Sequence, residues 1–67
     1  MKPLEHDKRA KLNSLYNILR DSSSNDFDLY KRTYIETLVE FMREEYDISR
    51  HWTAYRKLTV YRNEHAL

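Results

Sequence analysis

The sequence predicts an all-α fold: a small three-helix domain, built as a helical hairpin plus a third helix and expected to dimerise. Three observations predict it. The 67 residues contain no Gly and one Pro, so β-hairpin turns and phosphate-cradling loops lack the residues from which they are ordinarily made. Apolar side chains recur at the helical period in long stretches separated by short polar segments. No Cys is present, which excludes disulfides and thiolate metal sites. A domain of this size buries only about 60% of its unfolded surface. Well-packed helices, self-association or both must therefore stabilise it.

The first helix is expected over residues 4–20. Leu4, Leu12, Leu15 and Leu19 recur on one side, widened by Tyr16 and Ile18, and Pro3 suits the start. Glu5 with Arg9, and Asp7 with Lys11, stand four apart with the acid first, the favourable order. Residues 21–26 (DSSSND) read as a loop. Ser, Asn and Asp compete with helix through their own backbone, and Ser24, Asn25 or Asp26 is the expected cap of the next helix. Phosphorylation of the serine run is the less economical reading of the same residues.

The second helix, expected over residues 27–46, carries Phe27, Tyr30, Tyr34, Leu38 and Phe41 in one stripe and Ile35, Val39, Met42 and Tyr46 in another. Together the stripes span about half the circumference, wider than packing on one neighbour needs. This helix must contact both flanking helices, or one of them and another chain. After a connection at Asp47-Ile48-Ser49, capped by Asp47 or Ser49, the third helix is expected over residues 50–63, with Trp52, Ala54, Tyr55, Leu58 and Tyr61 on one side. Leu58 to Tyr61 has strand-forming character, but a lone strand has no partner and helix is expected. Residues 64–67 are expected to fray. The whole chain, 1–67, reads as one domain.

Formal net charge is +1, unevenly spread: five basic and three acidic residues over 1–21, three and seven over 22–49, four and one over 50–67. An acidic middle between basic ends argues against a uniformly basic nucleic-acid binder. No apolar run approaches the roughly 20 residues of a bilayer span. The first ten residues are too charged for a secretory leader, and the protein is expected to be cytoplasmic.

No chemistry is evident. His6, His51 and His65 are not at helical ligand spacing. His51 beside Glu44 or Glu45 is the nearest approach to an acid–base pair, and reads more simply as an exposed residue in the first turn of a helix. Serines 22–24 have no neighbouring base. No catalytic, cofactor-binding or metal residues and no small-molecule substrate are expected: the chain is not read as an enzyme.

Contacts are the better reading. Nine aromatic residues, six of them Tyr, exceed what one small core accommodates, and Tyr and Trp are enriched where proteins meet. Tyr34 and Tyr46 read as core. Tyr30, Phe41, Trp52 and Tyr55 are the expected interface anchors. Glu36, Glu40 and Glu44, at successive i, i+4 positions where like charges cost a few tenths of a kcal/mol per pair, are the expected electrostatic label for a basic surface. The expected function is that of a small regulator or inhibitor that binds another protein, itself or both. Its size suits a phage or plasmid accessory protein.

One stretch supports an alternative. Glu44-Glu45-Tyr46-Asp47-Ile48-Ser49-Arg50-His51-Trp52-Thr53-Ala54-Tyr55-Arg56 resembles a bacterial helix-turn-helix. The resemblance implies a DNA-binding transcriptional regulator with a recognition helix at 50–62 and with Ser49, Arg50, His51 and Arg56 near DNA. Asp47 replaces the usual turn Gly, and one extra residue places Thr53 where a core aliphatic is expected.

Overall fold

The computed structural model describes residues 1–65, which form three helices: α1 (His6–Asp21), α2 (Ser24–Arg43) and α3 (Ser49–His65). The all-helical architecture matches the expectation, and no strand forms among the described residues. The chain measures 39 × 17 × 17 Å along its principal axes. A 17-residue helix is about 25 Å long, so α3 lies along the bundle and not across it. Leu58 to Tyr61 are helical, as are Glu64 and His65, where fraying was expected; residues 66 and 67 lie outside the described residues.

The serine run makes the hairpin. Ser22 turns the chain out of α1: its N–H and Oγ both donate to the Leu19 carbonyl, at 3.4 and 2.7 Å. Ser23 caps α2. Its Oγ accepts from the Asp26 N–H at 3.3 Å and donates to the Asp26 carboxylate at 3.1 Å, and Asp26 also complements the helix dipole in the first turn. Thus α2 starts three residues before the expected Phe27, because Ser24, Asn25 and Asp26 fill a first turn whose N–H groups need no helical partner. The cap is Ser23, not one of the three residues expected.

The other end of α2 stops at Arg43, short of the expected Tyr46. Glu45 sits at φ 69°, its N–H donates to the Met42 carbonyl at 2.9 Å, and the Tyr46 N–H reaches back to Phe41 at 3.0 Å. This is the Schellman closure, including its apolar contact: the Phe41 and Tyr46 rings meet edge to face at 6.2 Å. Asp47 then starts α3. Its Oδ1 accepts from the Ser49 N–H at 3.0 Å and from the Ser49 hydroxyl at 2.6 Å.

The N-terminal segment straps across this turn. The Lys2 N–H donates to the Glu45 carbonyl at 2.8 Å, and the Lys2 carbonyl accepts from the Asp47 N–H at 2.7 Å, a single parallel bridge to Tyr46. Holding Lys2 in extended geometry leaves Pro3 to Glu5 outside α1, which begins at His6 and not at Leu4. Glu5 is the N-cap of α1: its carbonyl accepts from the Arg9 N–H at 2.9 Å, while its carboxylate accepts the Tyr46 hydroxyl and forms no ion pair with Arg9. The one ion pair among the described residues joins Arg20 to Asp21.

Leu12 and Leu19 from α1, Tyr34, Leu38 and Phe41 from α2, Tyr55 and Leu58 from α3, and Tyr46 form the core. Tyr34 touches every helix. Its ring stacks on Tyr55 at 5.7 Å and tilts against Tyr16 at 6.5 Å, and its hydroxyl donates to the His51 carbonyl at 3.4 Å. Buried Thr37 returns its hydroxyl to the Thr33 carbonyl at 2.9 Å, so no buried side-chain polar atom is left unsatisfied among the described residues.

A left-handed backbone costs a non-glycine residue roughly 1–2 kcal/mol. Glu45→Gly removes that cost and adds unfolded-state entropy, so it should stabilise the chain by about 0.5–1 kcal/mol. Urea denaturation followed by circular dichroism reads the change; a loss of stability would mean that the Glu45 side chain contributes more than its backbone strain costs.

Candidate functional site

The two stripes of α2 have separate roles. The stripe of Phe27, Tyr30, Tyr34, Leu38 and Phe41 faces α1 and α3. The second is left half-covered: Ile35 and Val39 are partly buried, and Met42 is 54% exposed. It runs into a hollow of about 350 Å³ at the corner where α2 gives way to α3. Met1, Val39, Met42, Ile48 and Trp52 form its walls, over a floor of Leu38 and Tyr46, with Asp47 and Ser49 as its only polar residues. Trp52 stands on the rim, 43% exposed, with its ring 5.7 Å from that of Tyr55.

The turn aims this hollow. The αL residue Glu45 swings Tyr46 under the end of α2, and four groups hold the ring there: Phe41 at its edge, the Glu5 carboxylate on its hydroxyl, the Lys2 ammonium 4.4 Å from its centroid and the Lys8 ammonium at 5.3 Å. The Glu5 hydrogen bond, with burial behind it, pushes the Tyr46 phenol up to about 12. Burial, with Tyr16 nearby, pushes the Tyr34 phenol up to about 12 as well. The two hydrogen bonds from Ser49 hold the Asp47 carboxyl below its usual range.

The expected anchors divide. Trp52 is exposed on the groove, and Tyr30 is half-buried beside the core. Phe41 and Tyr55, expected at an interface, are core residues only 6% and 7% exposed. Phe41 is closed in by the turn and α1, where the Tyr46 ring meets its own and the Lys8 ammonium lies 5.7 Å from its centroid, and Tyr55 by stacking on Tyr34. Glu36, Glu40 and Glu44 are all exposed, and none takes part in an ion pair. Of the residues the helix-turn-helix resemblance placed near DNA, Ser49, Arg50 and Arg56 are exposed while His51 is half-buried. Burial and the nearby Arg9 hold the His51 imidazole below its ordinary pKa, and no carboxylate contacts it. A helix-turn-helix sets its two helices at about 90–120°, whereas a 17 Å cross-section leaves no room for a crosswise α3.

Of the groove residues, Val39 and Met42 were expected in the second stripe of α2 but not as contact residues, and Met1 and Ile48 were not singled out. The available signal was the second stripe itself, whose members lie off the axis of the core stripe. Among the described residues no group of three or more His, Asp or Glu side chains could hold a metal ion, and no helix is long and apolar enough to cross a membrane. Comparison with protein-family models, with curated proteins and with solved structures finds no match.

Because their pKa values rise on folding, Tyr34 and Tyr46 contribute stability that is complete below pH 10 and is lost as the pH climbs towards about 12. Alkaline titration followed in parallel by circular dichroism and tyrosinate absorbance should show unfolding in that window. Tyr46→Phe should flatten the pH dependence there; a free energy of unfolding that is level across the window would contradict the Tyr46–Glu5 hydrogen bond and the burial of Tyr34.

Proposed function

We propose that this chain is a small, non-enzymatic helical module that regulates or inhibits a protein partner by docking it in the groove of Met1, Val39, Met42, Ile48 and Trp52, and that it also self-associates. One observation carries the reading. Met42 and Trp52 stay exposed on a hollow that is apolar but for Asp47 and Ser49, whereas exposed Val60 and Tyr61 stand among Arg56, Lys57 and Glu64. The occupant that fits is the apolar face of an amphipathic helix: the hollow offers side-chain pockets and almost no polar groups to pair with an extended backbone. The flexible thioethers of Met1 and Met42 adapt to such a face. Burying exposed apolar surface supplies roughly 25 cal/mol per Å², and a rim Trp is the usual energetic centre of such a contact. The reading is of a cytoplasmic protein.

The second reading is the DNA-binding regulator. It draws on Arg50 and Arg56, both exposed on α3. Its acidic neighbour α2 would repel phosphate, and its affinity for duplex DNA would fall steeply with salt.

With a partner identified and both proteins purified, Trp52→Ala should cost about 2 kcal/mol, on the order of thirtyfold in Kd, without loss of helix content. Met42→Asp should weaken binding similarly, and Arg56→Ala should leave it unchanged. Unaltered affinity in the first two variants would refute the groove. Salt-sensitive retardation of duplex DNA that Arg56→Ala weakens would favour the second reading instead.

A further inference from the structure

The face of the bundle opposite α2 is a trough between α1 and α3, made of two hollows of about 410 and 620 Å³ that share Tyr16 and Lys57. No residue of α2 reaches it, and no carboxylate lines either hollow. Its charge comes from Arg20, Arg50, Lys57 and Arg62, and Tyr16 and Tyr61 supply apolar surface between them. Two of these cations are engaged within the chain. Arg20 pairs with Asp21 at 3.3 Å, while Arg62 donates to the Arg20 carbonyl at 3.3 Å and lies 4.2 Å over the Phe27 ring. Arg50 and Lys57 are exposed and, among the described residues, in no ion pair. Seven residues apart on one side of α3, they stand about 10 Å apart along its axis.

The outer side of α2 has the opposite character. Glu36, Glu40 and Glu44 form an exposed ridge about 12 Å long, also in no ion pair. Leu29, 64% exposed, adds apolar surface on the same side. Arg32 and Arg43 flank the ridge on the side of Val39, which leaves Glu40 and Glu44 as its open acidic edge. Ridge and trough match in length and are opposite in sign, and a groove between two helices is the natural seat for a third.

We infer that the trough receives the α2 ridge of a second copy of this chain. Burial of Tyr61 (60% exposed) and Leu29 contributes the attraction, and the charges fix the register. Because ridge and trough lie on opposite faces of one molecule, the contact is heterologous: each added copy leaves a free ridge and a free trough, and assembly continues beyond two. A polyanion is the weaker occupant, since nucleic-acid binders neutralise about six to ten phosphates and only two cations here are uncommitted. The inference is independent of the apolar groove, which lies elsewhere on the bundle.

Light scattering on the full chain across a dilution series, at low and high salt, tests it. At low salt the average mass should rise with concentration past that of a dimer, and at high salt it should fall towards the monomer. Glu40→Lys with Glu44→Lys, and separately Arg50→Glu with Lys57→Glu, should each abolish the rise while circular dichroism stays unchanged. An equimolar mixture of the two double variants should restore it, because every ridge then meets a trough of opposite sign. Any of three results would overturn the inference: a monomer throughout at low salt, an assembly that survives both charge reversals or is lost only in Trp52→Ala, or a trough that binds a short single-stranded oligonucleotide in wild type and in the ridge variant but not in the trough variant.

Discussion

The fold depends on one buried phenol. Tyr34 has no exposure to solvent, and it touches all three helices: Tyr16 on α1, and Tyr55 and the His51 carbonyl on α3. A small domain has little apolar surface to spend, and an aromatic ring at the common contact buries more of it than any aliphatic side chain there. The polar end of that ring must still find an acceptor. It finds one in the first turn of α3, which fixes how far α3 slides along α2. Register of the third helix is thus set by a hydrogen bond, and its adhesion by ring stacking.

From that register the corner groove follows. With α3 anchored at Tyr55, Trp52 lies one turn nearer the α2 end and overhangs Met42. The strap through Lys2 and the left-handed Glu45 close the other wall by holding Tyr46 beneath. A chain without glycine must place a residue with a Cβ at that left-handed position, here Glu45, a local cost in favour of a defined corner. The groove and the trough share only Ser49, at the start of α3, so most of one surface can change without rebuilding the other.

The helices were legible because their apolar period is strong and because a composition lacking Gly and Cys leaves few other folds open. The core stripe on α2, and Leu12 and Leu19 on α1, could be read directly. Boundaries were less accessible. Ser23 as cap and Glu45 as terminator depend on which of several adjacent polar residues takes an extended or left-handed backbone; at Glu45 that choice goes with the packing of Phe41 on Tyr46. The strap at Lys2 left no pattern, since a single backbone bridge needs no particular side chain. Exposure of the aromatic rings was half legible: their number says that some stay outside, but only the placement of α3 decides that Tyr55 goes in and Trp52 stays out. The acidic ridge was plain in the i, i+4 spacing, whereas its counterpart was not, because the trough draws on α1 and α3, which are distant in sequence.

Trp52 is the only tryptophan in the chain, and it stands on the rim of the groove beside Tyr55. The molecule therefore carries its own optical reporter at that one place. A ligand seated in the corner dries the indole and moves its emission to the blue, while a neighbour seated between α1 and α3 leaves the emission where it was. Two occupants on two faces can be told apart in unlabelled protein by the colour of a single residue.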